Sequence, residues 1–208
     1  MNPQFLKNQY AGHGFEFIKI PGTIDASVLI PLVENEKGEL CVLFEIRSGR
    51  IRQGGEICFP GGRVETGETP EATVVRECVE ELCIEAGQLD LIAPMFTLIG
   101  VGGAFIYSYL GSISGYTGRY SKDEVASVFM LPVEELLSIE PEISKGFYQV
   151  ELPEDFHYGL IPGGRAYQWR KPPKYLYFYE TPYGVIWGMT AELLHAFLED
   201  VRRRSGYQ

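Results

Sequence analysis

The sequence predicts an α/β protein: an α/β/α sandwich around a mixed β-sheet. Two observations carry that expectation. Short runs rich in β-branched, aromatic and aliphatic residues recur along the chain, separated by turn residues, and two longer stretches show helical periodicity. Strands with helices on either side bury their apolar faces as layers around one sheet. A chain of 208 residues, with 45% hydrophobic and 22% charged residues, is ordinary for a globular protein and long enough for a real core. It reads as one domain over 1–208, with an irregular insertion at 138–174.

In order, Phe15 to Ile20, Ala26 to Leu32 and Leu40 to Ile46 read as strands, the last two forming a hairpin across Glu34-Asn35-Glu36-Lys37-Gly38. Ser48 to Gly55 is a loop which, with Arg47 before it, carries Arg50 and Arg52 among glycines, and it leads to Phe59-Pro60-Gly61-Gly62. Thr69-Pro70 starts a helix, the threonine capping free amides and the proline fitting the first turn. Leu89 to Leu98 and Ala104 to Ile113 read as strands joined through glycines. Gly115 to Asp123 is a connecting loop, Glu124 to Met130 a short strand, and Pro132 opens a further helix. Ser138 to Lys174 reads as irregular, with a turn at Pro162-Gly163-Gly164; a long insertion in a compact domain is often functional. Tyr175 to Glu180 and Val185 to Trp187 are strands, and Thr190 caps a final helix with Leu193, Leu194, Phe197 and Val201 on its apolar side.

The chemistry concentrates between Gly61 and Ile84. At about 100° per residue, Ala72, Val75, Val79 and Leu82 fall on one stripe of the helix, with Glu77, Glu80 and Glu81 opposite. Carboxylates three and four residues apart repel by a few tenths of a kcal/mol per pair. A hard divalent cation with oxygen ligands would offset that; water on a solvated acidic face is the plainer alternative.

From Gly62, five residues lead to Glu68 and seven more to Arg76-Glu77; Cys78, Val79, Glu80-Glu81, Leu82, Cys83 and Ile84 follow. This resembles the Nudix hydrolase box, G-x5-E-x7-R-E-U-x-E-E-x-G-U with U a bulky apolar residue. Every fixed position but the last glycine matches. Cys83 stands in its place, so the helix is expected to run on towards Gly87, the next residue that easily takes a left-handed cap. The resemblance implies the same sandwich fold and hydrolysis of a phosphoanhydride. It also implies Mg²⁺ or Mn²⁺ held by Glu77, Glu80, Glu81 and the carbonyl of Gly61, with Arg76 paired to Glu68 to orient the carboxylates. A plain surface ion pair is the alternative for Arg76 and Glu68. For the general base, the segment Lys122 to Val125 offers Glu124, whose alternative is an exposed strand-edge residue; Glu81 could itself serve.

Two flanking stretches bear on the substrate. Arg47-Ser48, Arg52, Gly55 and Phe59-Pro60-Gly61-Gly62 resemble the signature of the coenzyme A diphosphatase branch, with Glu45 in place of a threonine and the interval from Arg52 to Gly55 one residue short. Trp187-Gly188-Met189-Thr190-Ala191 is similar to the W-G-x-T-A segment of that branch. The branch implies cleavage of coenzyme A or its thioesters to 3′,5′-ADP and a 4′-phosphopantetheine product, with Arg47, Arg52 and Phe59 at the substrate. An extra 3′-phosphate would account for clustered arginines; balancing of local acids is the alternative. ADP-ribose, NADH or a nucleoside triphosphate, and a binding module without turnover, remain the competing readings.

A formal charge of −10 argues against nucleic acid or an anionic membrane as the main partner but leaves room for an anionic ligand in a local basic pocket, and the resemblance implies a small-molecule substrate. The first residues have no signal-peptide core and no run is long enough to span a bilayer, so the cytoplasm is the expected compartment. The oligomeric state, a homodimer included, stays open. Cys41, Cys58, Cys78 and Cys83 contain no C-x-x-C pair and read as reduced core residues rather than a zinc site. His13 and His195 read as surface residues, and His157 as a candidate substrate contact from the insertion.

Overall fold

The computed structural model describes the chain except residues 1, 15, 16, 101, 207 and 208. Its elements run α1 (Pro3–Tyr10), β1 (Ala26–Glu34), β2 (Leu40–Arg47), β3 (Ile57–Cys58), β4 (Gly61–Arg63), α2 (Pro70–Glu81), β5 (Leu89–Ile99), β6 (Phe105–Ile113), β7 (Val125–Pro132), α3 (Val133–Ser138), β8 (Glu142–Phe147), β9 (Pro173–Thr181), β10 (Gly184–Ile186) and α4 (Gly188–Ser205). Among the described residues, seven strands make one sheet, with β3-β2-β1-β6-β5 as its spine, β4 paired to β1 and β7 to β2. β1 and β6 run parallel, Val28 opposite Ser108, while β1–β2, β2–β7 and β5–β6 are antiparallel, so the sheet is mixed as expected.

Each face of the sheet is covered. On one side Val74 and Cys78 of α2, with Leu82 just past its end, pack against Leu29, Val33, Cys41 and Leu43. On the other, Leu194, Phe197 and Leu198 of α4 meet Ile30, Val42 and Phe44. Full burial of one such aliphatic or aromatic side chain contributes about 1.5–3 kcal/mol, so these two contacts fix the layers. No helix among the described residues is long and apolar enough to cross a membrane.

Several expectations need correction. Residues 17–20 form no strand, and 15 and 16 lie outside the described residues. The chain instead begins with α1, capped by Asn2, whose side chain accepts from the Phe5 amide at 2.8 Å. The insertion is not wholly irregular: Glu142–Phe147 pairs antiparallel with β9, and β10, β9 and β8 form a second, three-stranded sheet. Tyr179 and Ile186 of that sheet are fully buried beside α4. Pro132 ends β7 and precedes α3 rather than sitting in its first turn. Thr190 lies inside α4, which begins at Gly188 behind Trp187. His195 is not a surface residue: half-buried, it stacks on Tyr177 and bonds the Tyr179 hydroxyl through Nδ1 at 2.8 Å.

Candidate functional site

Helix α2 starts as expected, with Thr69 accepting from the Ala72 amide at 3.1 Å. Its inward face, however, is centred on Val74, Cys78 and Leu82, leaving Ala72 exposed and Val75 and Val79 flanking. Glu81 is seven residues from Val74, nearly in line with it at 100° per residue, so it turns inward with the core stripe instead of lying opposite it. Only 5% exposed, it ends beside β4, where its Oε2 accepts the Gly61 amide at 2.7 Å. The helix does not continue to Gly87: it ends at Glu81, and Cys83 takes the left-handed conformation at φ +49°. That is the backbone a glycine takes without strain, here adopted by a cysteine.

Two glycines make room for the carboxylates. A Cβ on Gly61, at φ +146°, would stand 2.2 Å from the Ser27 carbonyl oxygen, and one on Gly62 would stand 2.2 Å from Glu77 Oε1. Any side chain at 62 would therefore displace Glu77. Arg76 holds the other side of the cluster. Its Nε donates to Glu68 Oε1 at 2.8 Å, Nη2 to Glu68 Oε2 at 3.0 Å, and Nη1 to Glu77 at 2.8 Å. Such a forked, charge-assisted contact fixes orientation as well as charge. Glu68 also accepts the Thr73 hydroxyl, and the Arg76 guanidinium holds its carboxyl down to about 2.

Glu77, Glu81 and Glu124 converge, each offering an oxygen within 4.8 Å of the others. Burial pushes the Glu77 and Glu81 carboxyls up, Glu81 to about 8, and the neighbouring carboxylates add to it. Hard oxygen donors of like charge, too close to be comfortable without a counter-charge, fit a divalent cation of the Mg²⁺ or Mn²⁺ class. Glu80 stays outside this group, exposed at the rim with Arg76 Nη1 3.4 Å away.

Beside Gly61 opens a cavity of about 660 Å³ between the main sheet and the second sheet. Arg47, Arg52 and Phe59 line one side; Trp187, with its indole parallel to the Phe178 ring, and the Lys174–Glu192 ion pair line the other. Phe59 is also core, 4% exposed and stacked on Phe44. Arg50 turns away to Asp123 at 3.4 Å, and His157, exposed, does not line the cavity. Glu45, buried behind Glu77, Glu81 and Glu124, is not anticipated from the sequence. It lies 1% exposed in β2, and a lone carboxylate inside the apolar run Leu40–Arg47 was the signal available.

A NUDIX domain model matches residues 23–150, more than half of the chain. Nudix hydrolase 3 of Caenorhabditis elegans is 35% identical over 144 residues, 64% of this chain and 60% of that protein. The mouse protein described as peroxisomal coenzyme A diphosphatase NUDT7 is 29% identical over 62% of this chain and 53% of its own, so the chain spans only part of the length of either relative. Among solved structures, a MutT/nudix family protein from Enterococcus faecalis superposes with a TM-score of 0.53 at 16% identity, over 98% of this chain and 70% of that one, which speaks to the fold alone. With Glu77 and Glu81 of the box converging on Glu124 and the domain match spanning all three, the chain belongs to the Nudix hydrolase family.

Proposed function

We propose that the protein is a metal-dependent diphosphatase acting on coenzyme A or its thioesters, releasing 3′,5′-ADP and a 4′-phosphopantetheine product. The observation that carries this reading is the cavity beside Gly61, with cations on one wall and an aromatic ring on the other. Its volume suits a small-molecule ligand. Arg47 and Arg52 supply positive charge for phosphates in an otherwise acidic protein, and the Trp187 face suits a base. The mouse relative's description points the same way.

Glu77, Glu81 and Glu124 would hold the divalent ion, which would supply charge withdrawal from the diphosphate and a more acidic water. The chain's own groups do the rest. Gly61 N–H and the Arg76 fork hold Glu81 and Glu77 in place before substrate arrives. Glu124, the exposed member of the three, takes the proton from the attacking water, with Glu81 as the alternative acceptor. The Gly61 carbonyl adds an oxygen donor, and Glu80 stands by at the rim.

A second reading is favoured by the arginine loop. Arg50 is paired with Asp123 at 3.4 Å, which leaves one cation fewer for a 3′-phosphate. That would suit ADP-ribose, NADH or a nucleoside triphosphate. Purified protein with Mg²⁺ or Mn²⁺, presented with coenzyme A, acetyl-coenzyme A, ADP-ribose, NADH and ATP, with and without chelator, decides between them. The expected result is metal-dependent release of 3′,5′-ADP with the highest kcat/KM on coenzyme A or its thioester. Preference for another substrate gives the second reading, and no turnover on any of them a binding module.

A further inference from the structure

Glu45 has no part in the scheme so far, yet its position is costly. Along β2, Cys41 and Leu43 face α2 while Val42 and Phe44 face the other layer. Side chains alternate along a strand, so Glu45 points to the α2 side, and its cross-strand neighbour Val128 packs in that same layer. There the charges that act on it most strongly are the carboxylates of Glu81, Glu124 and Glu77 and, with the opposite sign, the Arg47 guanidinium. Its Oε1 is buried and meets no hydrogen-bond partner in the described structure. An unpartnered buried carboxylate costs several kcal/mol at the scale of protein interiors, and placing it next to three more raises that cost. No donor among the described residues satisfies that oxygen, and the Cys58 and Cys78 thiols near it, pushed up by burial and by its charge, stay neutral.

We propose that Glu45 lends its carboxylate to the divalent-cation site of Glu77, Glu81 and Glu124, a fourth anion that tightens cation uptake from beneath. This rests on the metal-dependent reading above. Glu45 stands outside the three whose oxygens converge, so the cation would offset its charge from behind Glu77, Glu81 and Glu124 rather than bond it, and the position is tolerable because the loaded protein is the working form. Without the cation the same carboxylate weakens the fold, so the side chain trades stability of the empty protein for affinity of the filled one.

The test is Mn²⁺ binding to the full chain, followed by the electron paramagnetic resonance of free Mn²⁺, together with thermal melting of the chelated and Mn²⁺-loaded protein. Glu45→Gln and Glu45→Leu are compared with the unmodified chain. The expected result is an Mn²⁺ affinity at least about tenfold weaker in both variants, in the range that outer ligand-orienting groups carry. The Mn²⁺-induced rise in Tm should shrink, while chelated Glu45→Leu melts no lower than the unmodified chain. Unchanged affinity in both variants overturns the proposal, as does an affinity lost only in step with a lower chelated Tm. An unmodified chain that binds no Mn²⁺ overturns the metal reading itself, a failure recognisable without the variants.

Discussion

The segment from Gly61 to Glu81 and the cavity wall built by β9, Trp187 and the start of α4 differ in how they are held. The first is tied on every side: Gly61 to Glu81, Arg76 to Glu68, Glu77 and the Arg63 carbonyl, and the helix to the sheet through Val74 and Cys78. The second presents exposed Trp187, Met189 and Tyr175 over a core anchored by Tyr179 and Ile186. One region is built to keep atoms still for a reaction; the other offers a surface whose lining can change without disturbing those atoms. The rigidly tied carboxylates and the exposed wall thus belong to different layers of the molecule.

That division can be broken most forcefully at Glu81. Glu81→Gln should lower kcat by roughly 10³-fold, the several kcal/mol that metal-held charge stabilisation provides, with little change in circular dichroism. Unchanged turnover would remove the carboxylates from the chemistry. Next comes Arg76→Ala, expected to lower Mn²⁺ affinity and activity by about 10–100-fold through misplaced carboxylates. Arg76→Lys should recover little, because a point charge cannot make the forked contact to Glu68. On the other wall, Trp187→Ala should raise KM about tenfold with a smaller change in kcat, a loss of roughly one stacked base. An equal loss in kcat would erase the distinction between the two regions.

Acidity gives a smaller, signed effect in the chelated protein. Glu81 has its folded pKa raised to about 8 from an ordinary value of 4.5, so its favourable contribution is complete below about pH 4.5. Stability should therefore decline as pH rises from 4.5 towards 8, and Mn²⁺ should reverse the decline. Glu68 has the opposite sign: its pKa is depressed to about 2, so its contribution is present above 4.5 and lost as pH falls through 2. Chelated Tm measured across both windows checks the pair, and a flat profile from 4.5 to 8 would contradict the burial of Glu81. The smallest effect is at the helix end, where Cys83→Gly should stabilise by about 0.5–1 kcal/mol without altering kcat.

Much of the reacting region was legible because its signals are local. A threonine cap, a proline in the first turn, and fixed spacing from Gly62 to Glu81 located α2 to its observed first residue. The inward turn of Glu81 was also available from helical periodicity, but its charge argues for solvent, and its partner there, the Gly61 amide, comes from a strand twenty residues away. Glu45 escaped for the same reason. β8 was hidden because Glu142 to Phe147, with Ser144, Lys145 and Gly146 inside it, is mostly exposed and owes its strand to pairing with residues about thirty positions away. The missed α1 did carry a signal, Asn2 followed by Pro3, without an apolar face to support it. The cavity depends on two sheets meeting, which no local pattern encodes.

The left-handed Cys83 gives the site a chemical handle. Cys41 and Cys78 are buried, and burial pushes the Cys58 thiol up to about 12, so these three hold little thiolate at neutral pH. Cys83 alone among the four is exposed. A thiol-directed fluorophore or spin label will therefore attach there selectively, two residues from Glu81, and report cation arrival at the carboxylates from a position the family's box reserves for a residue with no side chain at all.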